Sequence, residues 1–387
     1  MQSATATVET LEQATPRASV DDLIRGSQYA MPQEQKEATL LPLLQDLCTN
    51  MAANCEAYGR FLRRLAPPPQ HWKTLAEIPP LPVTMFKQFE LRGVPMRQVV
   101  RELRSSSTTG SSPSRIFIDK TTAFRQARAL ASLLKEDLGS VRRPYLVLDA
   151  PESAQAGDQL TARGAAIRGV GNFASTTTFA FRQLPGGDLQ PDIDAIQSFF
   201  AEHSGHRPLL FGFTFIVWTR FVLEMERIGM RFDAPGATLL HSGGWKKLLS
   251  QAVSKDVFTH RAAEMLGSKD REILDFYGMV EQVGTVFVDC SAGHKHAPAF
   301  ADVILRAPHT MAPVAVGREG LIEVLSVLPT SYPGHALLTE DLGVPMGVDD
   351  CPCGRKGNYF RFTKRVERTE LRGCGDTFAQ SRTLKAP

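Results

Sequence analysis

Short apolar segments alternate with helix-length segments through the middle of this chain. Residues 144–149 contain the run Tyr-Leu-Val-Leu, and residues 209–213 and 237–241 are similarly apolar. Residues 216–228, between the last two, have helical spacing. Apolar runs separated by helices are typical of strands that are covered on both faces. The pattern therefore predicts an α/β fold with largely parallel sheets flanked by helices.

Two other regions have the spacing of helices. Residues 20–65 include Cys48 and Cys55, which we expect to fill the core. The second helix begins where Thr121 or Thr122 can cap it, and Gly139 ends it. We expect its buried stripe to consist of Phe124, Ala127, Ala131, Leu134 and Leu138.

The pattern changes near residue 284. Short strand-like segments separated by polar turns follow, at 285–289, 301–305, 321–326 and 336–339. We therefore expect a flexible tail at 1–18, an α/β core at 19–283, a small β-rich subdomain at 284–363 and a separate C-terminal segment at 364–387.

Composition excludes several classes of protein. The 387 residues carry a net charge of +3, which gives no reason to expect a nucleic acid or an anionic membrane surface as partner. Apolar runs are too short to cross a bilayer, and the N-terminus lacks the basic start and apolar centre of a signal peptide. We therefore expect a cytoplasmic protein without a membrane span.

A loop rich in serine, threonine and glycine occupies residues 105–114. Its backbone N–H groups and hydroxyls could hold an anion such as a phosphate. It is not a Walker A loop, because the Lys-Ser/Thr pair after the glycine is missing. Taken alone, the segment could equally be a surface loop.

Two further segments carry groups suited to a nucleotide. In Asp275-Phe-Tyr-Gly-Met-Val-Glu281, an aromatic ring could stack on a base, and the final carboxylate could hold Mg²⁺. Asp341 ends the segment Leu338-Thr-Glu-Asp and could accept hydrogen bonds from ribose hydroxyls. The Tyr-Gly pair could also be an ordinary turn, and neither segment identifies a nucleotide site by itself.

Cysteine and histidine cluster in two places. Cys351-Pro-Cys353-Gly is a tight turn, and Cys290, His294 and His296 lie upstream. Two such clusters separated by strands can close a tetrahedral zinc site. We predict a structural zinc held by Cys290, His296, Cys351 and Cys353, with His294 as the rival ligand. The alternative is that these are buried free cysteines.

In this order, the motifs resemble the adenylate-forming superfamily of acyl-CoA ligases and luciferases. The Ser/Thr/Gly loop is followed by His241-Ser-Gly-Gly-Trp245, then by the segments that end at Glu281 and Asp341, then by Lys364-Arg365 and Arg372-Gly373. A closer resemblance is to the LuxE-type acyl-protein synthetases of bacterial bioluminescence. It is carried by residues 85–91, 276–282, 327–335 and 370–374.

The resemblance implies ATP-dependent activation of a fatty or aryl acid to an acyl-adenylate, followed by transfer to a thiol. The residues that it implies for ATP binding are Ser107, Thr108, Thr109, Gly110, Asp275, Tyr277, Gly278, Asp341 and Arg365, with Glu281 as the catalytic Mg²⁺ ligand. Those implied for the acyl side are Phe213, Ser242, Gly243, Gly244 and Trp245. Val280 departs from the superfamily, which usually has a phosphate-contacting threonine there.

The resemblance also carries expectations about the C-terminus. Superfamily members continue into a mobile lid with a catalytic lysine, so residues 364–387 would be a hinge and a vestigial, truncated lid. We expect Lys246 or Lys247 to supply the missing charge; the alternative is a solvated lysine. Cys374 matches the family's acyl-accepting cysteine, and nearby arginines would lower its pKa.

Three functions stay open at this point. The acyl group could pass to Cys374 or to a partner protein, such as a reductase or an acyltransferase. It could instead leave on coenzyme A or a carrier protein without a covalent enzyme intermediate. The chain could also be a non-catalytic assembly subunit that keeps the fold.

Overall fold

A computed structural model of the protein describes residues 18–104, 113–154, 160–245 and 251–366. The helices are α1 Val20–Arg25, α2 Gln33–Asn54, α3 Glu56–Leu65, α4 Met85–Gln88, α5 Lys120–Leu138, α6 Pro151–Ala154, α7 Ala162–Gly171, α8 Ile193–Glu202, α9 Thr214–Ile216, α10 Leu223–Arg227 and α11 Lys255–Leu266. A π-helical segment, Val217–Val222, joins α9 to α10. Short 3₁₀ turns cover Pro69–His71, Leu75–Glu77, Met96–Gln98, Asp270–Glu272 and Val280–Gln282.

The strands form two six-stranded sheets and two smaller ones. They are β1 Leu81–Pro82, β2 Val99–Arg104, β3 Arg115–Asp119, β4 Arg143–Val147, β5 Leu160–Thr161, β6 Ala174–Phe179, β7 Phe181–Gln183, β8 Leu189–Pro191, β9 Leu209–Phe213, β10 Thr238–Ser242, β11 Ile273–Gly278, β12 Val286–Val288, β13 Lys295–His296, β14 Ala301–Arg306, β15 Gly320–Ser326, β16 Ala336–Val348 and β17 Asn358–Arg365.

The first six-stranded sheet, here called the large sheet, has the order β12-β11-β10-β9-β4-β6. Strands β6, β4, β9, β10 and β11 run parallel, and β12 is antiparallel to β11. Alternate residues of each central strand face opposite sides, so Tyr145 and Val147 pack with one apolar cluster while Leu146 packs with another. Both faces are covered, which explains the continuous apolar runs and confirms the predicted α/β class.

Helix α5 covers one face of this sheet, but its predicted details are wrong in two respects. Its N-cap is Asp119, whose carboxylate accepts from the Thr122 backbone N–H at 2.8 Å. Phe124 is 60% exposed and Ala127 is also exposed, because the buried face is rotated away from both of them. That face includes Thr122 and Gln126, whose hydroxyl and amide groups hydrogen-bond residues 330–332. The apolar pattern predicted the wrong buried face because two residues of the true buried face, Thr122 and Gln126, are polar.

The second six-stranded sheet, here called the antiparallel sheet, has the order β13-β17-β16-β15-β14. Its strands pair antiparallel, apart from β1, which adds parallel to β16. Strand β16 runs to residue 348, well beyond the predicted segment 336–339. The division of the chain at residue 283 stays a prediction. Strand β12, just after it, pairs with the large sheet.

The helical N-terminal region is anchored on the antiparallel sheet by a buried charge. Lys36 of α2 is fully enclosed, with its Nζ 3.5 Å from the Asp302 carboxylate and 3.1 Å from the Ala297 carbonyl. Cys48 and Cys55 lie in the core, as predicted. Within the described ranges, no helix combines the length and apolarity that crossing a membrane requires.

Candidate active site

Residues from three neighbouring parallel strands meet at the carboxyl edge of the large sheet. Phe213 at the end of β9 is in register with Ser242 at the end of β10, which is in register with Phe276 of β11. The Ser242 hydroxyl donates to the Phe276 carbonyl at 2.7 Å. Ligands of open α/β sheets bind at this edge, so it is the candidate active site.

The residues after Ser242 turn away from the sheet. Gly243 has φ +91°, a left-handed conformation that favours glycine, and a Cβ there would lie 3.1 Å from the Phe213 ring. Gly244 is exposed, and Trp245 packs edge-on to Trp218 at 6.2 Å. Phe213, Ser242 and Gly243 of the predicted acyl side therefore form one group, whereas Trp245 packs against Trp218.

An apolar cavity of about 140 Å³ opens beside this group. Its walls come from α5, α7, the ends of β9 to β11, and the segment that follows β11. Its lining includes Leu130, Ala165, Ala166, Val170, Phe213, Ser242, Phe276, Gly278 and Met279. A site of this composition suits the apolar part of a small ligand.

Glu281 lies in the 3₁₀ turn that follows β11 and is nearly enclosed. Burial raises the pKa of its carboxyl group above the usual range, and a hydrogen bond with Ser114 opposes that shift. Ser114 is the last residue of the predicted phosphate loop. The end of that loop therefore reaches the predicted magnesium ligand.

A second group of predicted residues lies where the large sheet meets the antiparallel sheet, and it consists of Tyr277, Asp341 and Arg365. The Tyr277 hydroxyl donates to Asp341 Oδ2 at 2.9 Å, and its ring stacks on Phe362. Arg365 is opposite Asp341 in the β16–β17 pairing, with its Nε 3.9 Å from Asp341 Oδ1. Burial raises the pKa of Asp341, and the bond from Tyr277 opposes the shift. The residues predicted for adenine and ribose are thus in contact.

Lys87 is a cation of this site that sequence reasoning did not single out. Its Nζ lies 4.0 Å from Glu340 Oε2, beside Asp341. Its charge and that of Arg365 also act to lower the pKa of Glu281. The only signal was its position in the family-like segment 85–91.

A buried network of charges lies under the same edge. Lys295 of β13 is enclosed, and its Nζ lies 2.9 Å from Asp275 Oδ2 and 3.1 Å from Asp289 Oδ1. Burial alone would lower the pKa of Lys295, but the two carboxylates outweigh burial and raise it. Predicted ATP-binding residue Asp275 is therefore held by a cation from the other sheet. No local pattern pointed to Lys295.

The four predicted zinc ligands come together. One ligand atom from each of Cys290, His296, Cys351 and Cys353 lies within 4.8 Å of all the others. Cys353 Sγ is 3.4 Å from His296 Nε2, and Cys290 Sγ is 3.9 Å from Cys351 Sγ. His294 is also near, with its Nδ1 3.5 Å from Cys351 Sγ. This donor set and spacing fit a tetrahedral zinc ion.

Tight turns produce that cluster. The Cys290 N–H donates to the His294 carbonyl at 2.8 Å, which closes a hairpin just before His296. In the second turn, the Gly354 N–H donates to the Cys351 carbonyl, and the Arg355 N–H lies 3.4 Å from Cys353 Sγ. Burial lowers the pKa of His296 to about 4, so its ring is neutral near pH 7, as a ligand must be.

Several predicted residues lie outside the described residues. They are Ser107, Thr108, Thr109, Gly110, Lys246 and Cys374. Their roles stay predictions.

A family model described as "Acyl-protein synthetase, LuxE" matches residues 5–383. The chain belongs to the LuxE acyl-protein synthetase family. The resemblance stated from its motifs is thereby confirmed.

Two curated relatives also match, both named long-chain-fatty-acid–luciferin-component ligase. The protein from Vibrio harveyi is 26% identical over 148 residues, which is 38% of each chain. The protein from Aliivibrio fischeri is 25% identical over 142 residues, 36% of this chain and 37% of its own length.

Solved structures share the fold. A 2-hydroxyisobutyryl-CoA ligase, crystallised with its acyl-adenylate and coenzyme A, has a TM-score of 0.66. The two chains are 18% identical, and the match covers 93% of this chain and 74% of the other. The LuxE-family chain thus has the fold of an adenylate-forming ligase.

Proposed function

We propose that this LuxE-family protein activates a carboxylic acid with ATP and then transfers the acyl group to a thiol. One observation carries the proposal: the Tyr277–Asp341 pair, the buried Glu281 carboxyl and the apolar cavity adjoin along one edge of the large sheet. With ATP at the Tyr277–Asp341 pair, a cation at Glu281 and the acid in the cavity, the carboxylate of the acid would lie beside the phosphates of ATP.

In the first step, a carboxylate oxygen of the acid attacks the α-phosphorus of ATP. The bond to the β-phosphate oxygen breaks, and pyrophosphate leaves with that electron pair. Asp341 would accept hydrogen bonds from the ribose, Tyr277 would flank the adenine, and Arg365 would meet the ribose or α-phosphate. Bound Mg²⁺ would supply positive charge next to the phosphates. Glu281 fits that ion, because a buried carboxyl with a raised pKa gains from a neighbouring cation.

In the second step, a thiolate attacks the acyl carbon and AMP leaves, which produces a thioester. We propose Cys374 as the acceptor, with a partner protein such as a reductase or acyltransferase taking the group onward. The curated relatives are named for the ligation of a long-chain fatty acid to a luciferin component.

Acid-dependent exchange of labelled pyrophosphate into ATP tests the first step. We expect exchange with at least one acid from a panel of fatty, branched and aryl acids, and its loss in Glu281→Gln. Absence of exchange with every acid, in protein that binds ATP, would overturn the proposal and favour a non-catalytic assembly subunit.

A cysteine replacement tests the second step. We expect Cys374→Ser to keep pyrophosphate exchange. When the variant is incubated with ATP and a labelled acid, we expect no labelled acyl group to stay attached to the protein on denaturing gels. Labelling that persists unchanged would contradict the covalent intermediate. Direct formation of acyl-CoA by Cys374→Ser would favour the alternative ligase.

We also propose that Cys290, His296, Cys351 and Cys353 hold a structural zinc ion. With all four positions filled by protein, the ion would have no open site for catalysis. Its effect would be to join the hairpin before β13 to the turn before β17. Elemental analysis of purified protein tests this, since zinc far below about one ion per chain contradicts a four-ligand structural site.

A further inference from the structure

The walls of the apolar cavity belong to the packed core. Leu134 of α5, Val170 of α7 and Leu240 of β10 line it, and all three side chains are buried in the main apolar cluster. Helices α5 and α7 touch beside it. A Cβ at Gly169 of α7 would lie 2.6 Å from Leu130 Cδ2. Because protein interiors are close-packed, these walls resist expansion.

The volume of the cavity limits how much of an acyl group can be buried in it. Its volume is about 140 Å³. A dry apolar cavity of about 150 Å³ in another protein accepts benzene, so a single ring or a short branched chain is the matching ligand. A straight long-chain acyl group would need either a much larger cavity or an exposed apolar tail.

Small residues on α7 provide the space. Ala165 and Ala166 line the cavity and are only partly buried, so larger side chains there would project into it. On the other side, Phe213 and Phe276 contribute aromatic walls. Aromatic rings favour offset or edge-to-face contacts with one another, so these walls suit an aromatic ring.

We propose that the acid activated at this site is compact, either a single-ring aromatic acid or a short branched acid. Ala166 of α7 and Leu130 of α5, which both line the cavity, would set the upper size of that acid. This proposal rests on the proposed function and makes it specific. It also separates this chain from the substrate class in the names of its curated relatives, which act on long-chain fatty acids.

Binding and exchange are measured on the same panel: benzoate, phenylacetate, 3-methylbutanoate, octanoate and tetradecanoate. Saturation-transfer NMR without ATP reports binding to the cavity, and pyrophosphate exchange reports activation. We expect the compact acids to bind and to support exchange, with tetradecanoate at least about tenfold slower. Tetradecanoate as the best acid in either assay would overturn the proposal and leave the proposed function standing.

Two variants and a control assign the effect to the cavity. Ala166→Phe fills the space, so we expect activation of the aromatic acids to fall about 10- to 100-fold with unchanged ATP binding. Leu130→Ala enlarges it, so the preference moves towards octanoate. Ala127→Phe, on the exposed face of α5, is the matched control and should behave as the wild type. If Ala166→Phe and Ala127→Phe have equal activity with each acid, the proposed boundary is wrong.

NMR separates the two proposals when exchange is absent. Compact acids that bind the wild type and lose binding in Ala166→Phe support the size limit, while the absence of exchange overturns only the proposed function. Failure of every compact acid to bind overturns the size limit.

Discussion

The Tyr277 hydroxyl donates a hydrogen bond to Asp341 Oδ2 across 2.9 Å, from β11 of the large sheet to β16 of the antiparallel sheet. The two residues are 64 positions apart in sequence. Their contact orients the Asp341 carboxylate where the two sheets meet. It also fills one of the acceptor positions of that carboxylate and leaves others for a ligand.

The first prediction follows from that contact. Asp341→Asn removes a charged acceptor, and hydrogen bonds to charged groups contribute about 1.5–3 kcal/mol, so we expect ATP to bind at least about tenfold more weakly. Tyr277→Phe keeps the ring and removes one orienting bond, so its loss should be smaller. Isothermal titration with ATP measures both. An unchanged dissociation constant in Asp341→Asn would remove this residue from the nucleotide site.

The second prediction concerns the buried cation. Lys295→Met leaves the buried Asp289 and the partly buried Asp275 without their shared partner, which should lower the free energy of unfolding by about 3–5 kcal/mol. Lys255→Met is the matched control. It also removes a lysine that pairs with Asp289, but that side chain is 50% exposed, so we expect a loss below about 1 kcal/mol. Urea unfolding compares them, and equal losses would contradict the burial argument.

The third prediction is the pH dependence of stability due to His335. Both of its ring nitrogens are buried without a hydrogen-bond partner among the described residues. Burial lowers its pKa from 6.5 to about 3. The unfolded chain therefore takes up a proton below pH 6.5, while the folded protein does not until about pH 3. This contribution to stability is complete above pH 6.5 and is lost on acidification, by up to about 1.4 kcal/mol per pH unit.

His335→Leu should remove that dependence. We expect the free energy of unfolding of the variant to fall less steeply than that of the wild type between pH 6.5 and 4. Other buried histidines, such as His241, act in both proteins and cancel in the comparison. Parallel stability curves over this range would show that His335 is not the group responsible.

The fourth prediction separates the two candidate histidine ligands. His296→Ala should reduce bound zinc and lower the melting temperature, because the ion would lose a ligand that joins two segments of the antiparallel sheet. His294→Ala should keep the metal, since four other donors already meet. Mass spectrometry under native conditions counts the ion in each variant. Metal lost only from His294→Ala would reverse the assignment.

Much of the fold could be predicted because it rests on local patterns. The strand Leu209–Phe213 and the helix that ends at Leu138 follow from apolar runs and from Gly139, whose φ of +76° suits a helix end. The rotation of that helix could not be predicted. Its buried Thr122 and Gln126 find hydrogen-bond partners more than 200 positions away, and nothing nearby in the sequence records those partners.

The candidate site likewise has residues that could be predicted from the sequence and residues that could not. The types and order of Tyr277, Glu281 and Asp341, and the Cys/His composition of the predicted metal site, could be read directly. The cations Lys87 and Lys295 could not. A lysine side chain is usually solvated, and whether it pairs with a carboxylate in the site depends on how the chain folds.

By itself, the sequence determined the α/β class, the family and the chemical groups available, because periodicity and motif order are local or ordered along the chain. Only the tertiary structure decided which groups meet. It brought Asp341 onto Tyr277 and Lys295 onto Asp275, and it set the size of the apolar cavity. These depend on how two sheets and the helices around them pack. Such contacts join residues far apart in the chain, where local preference has no influence.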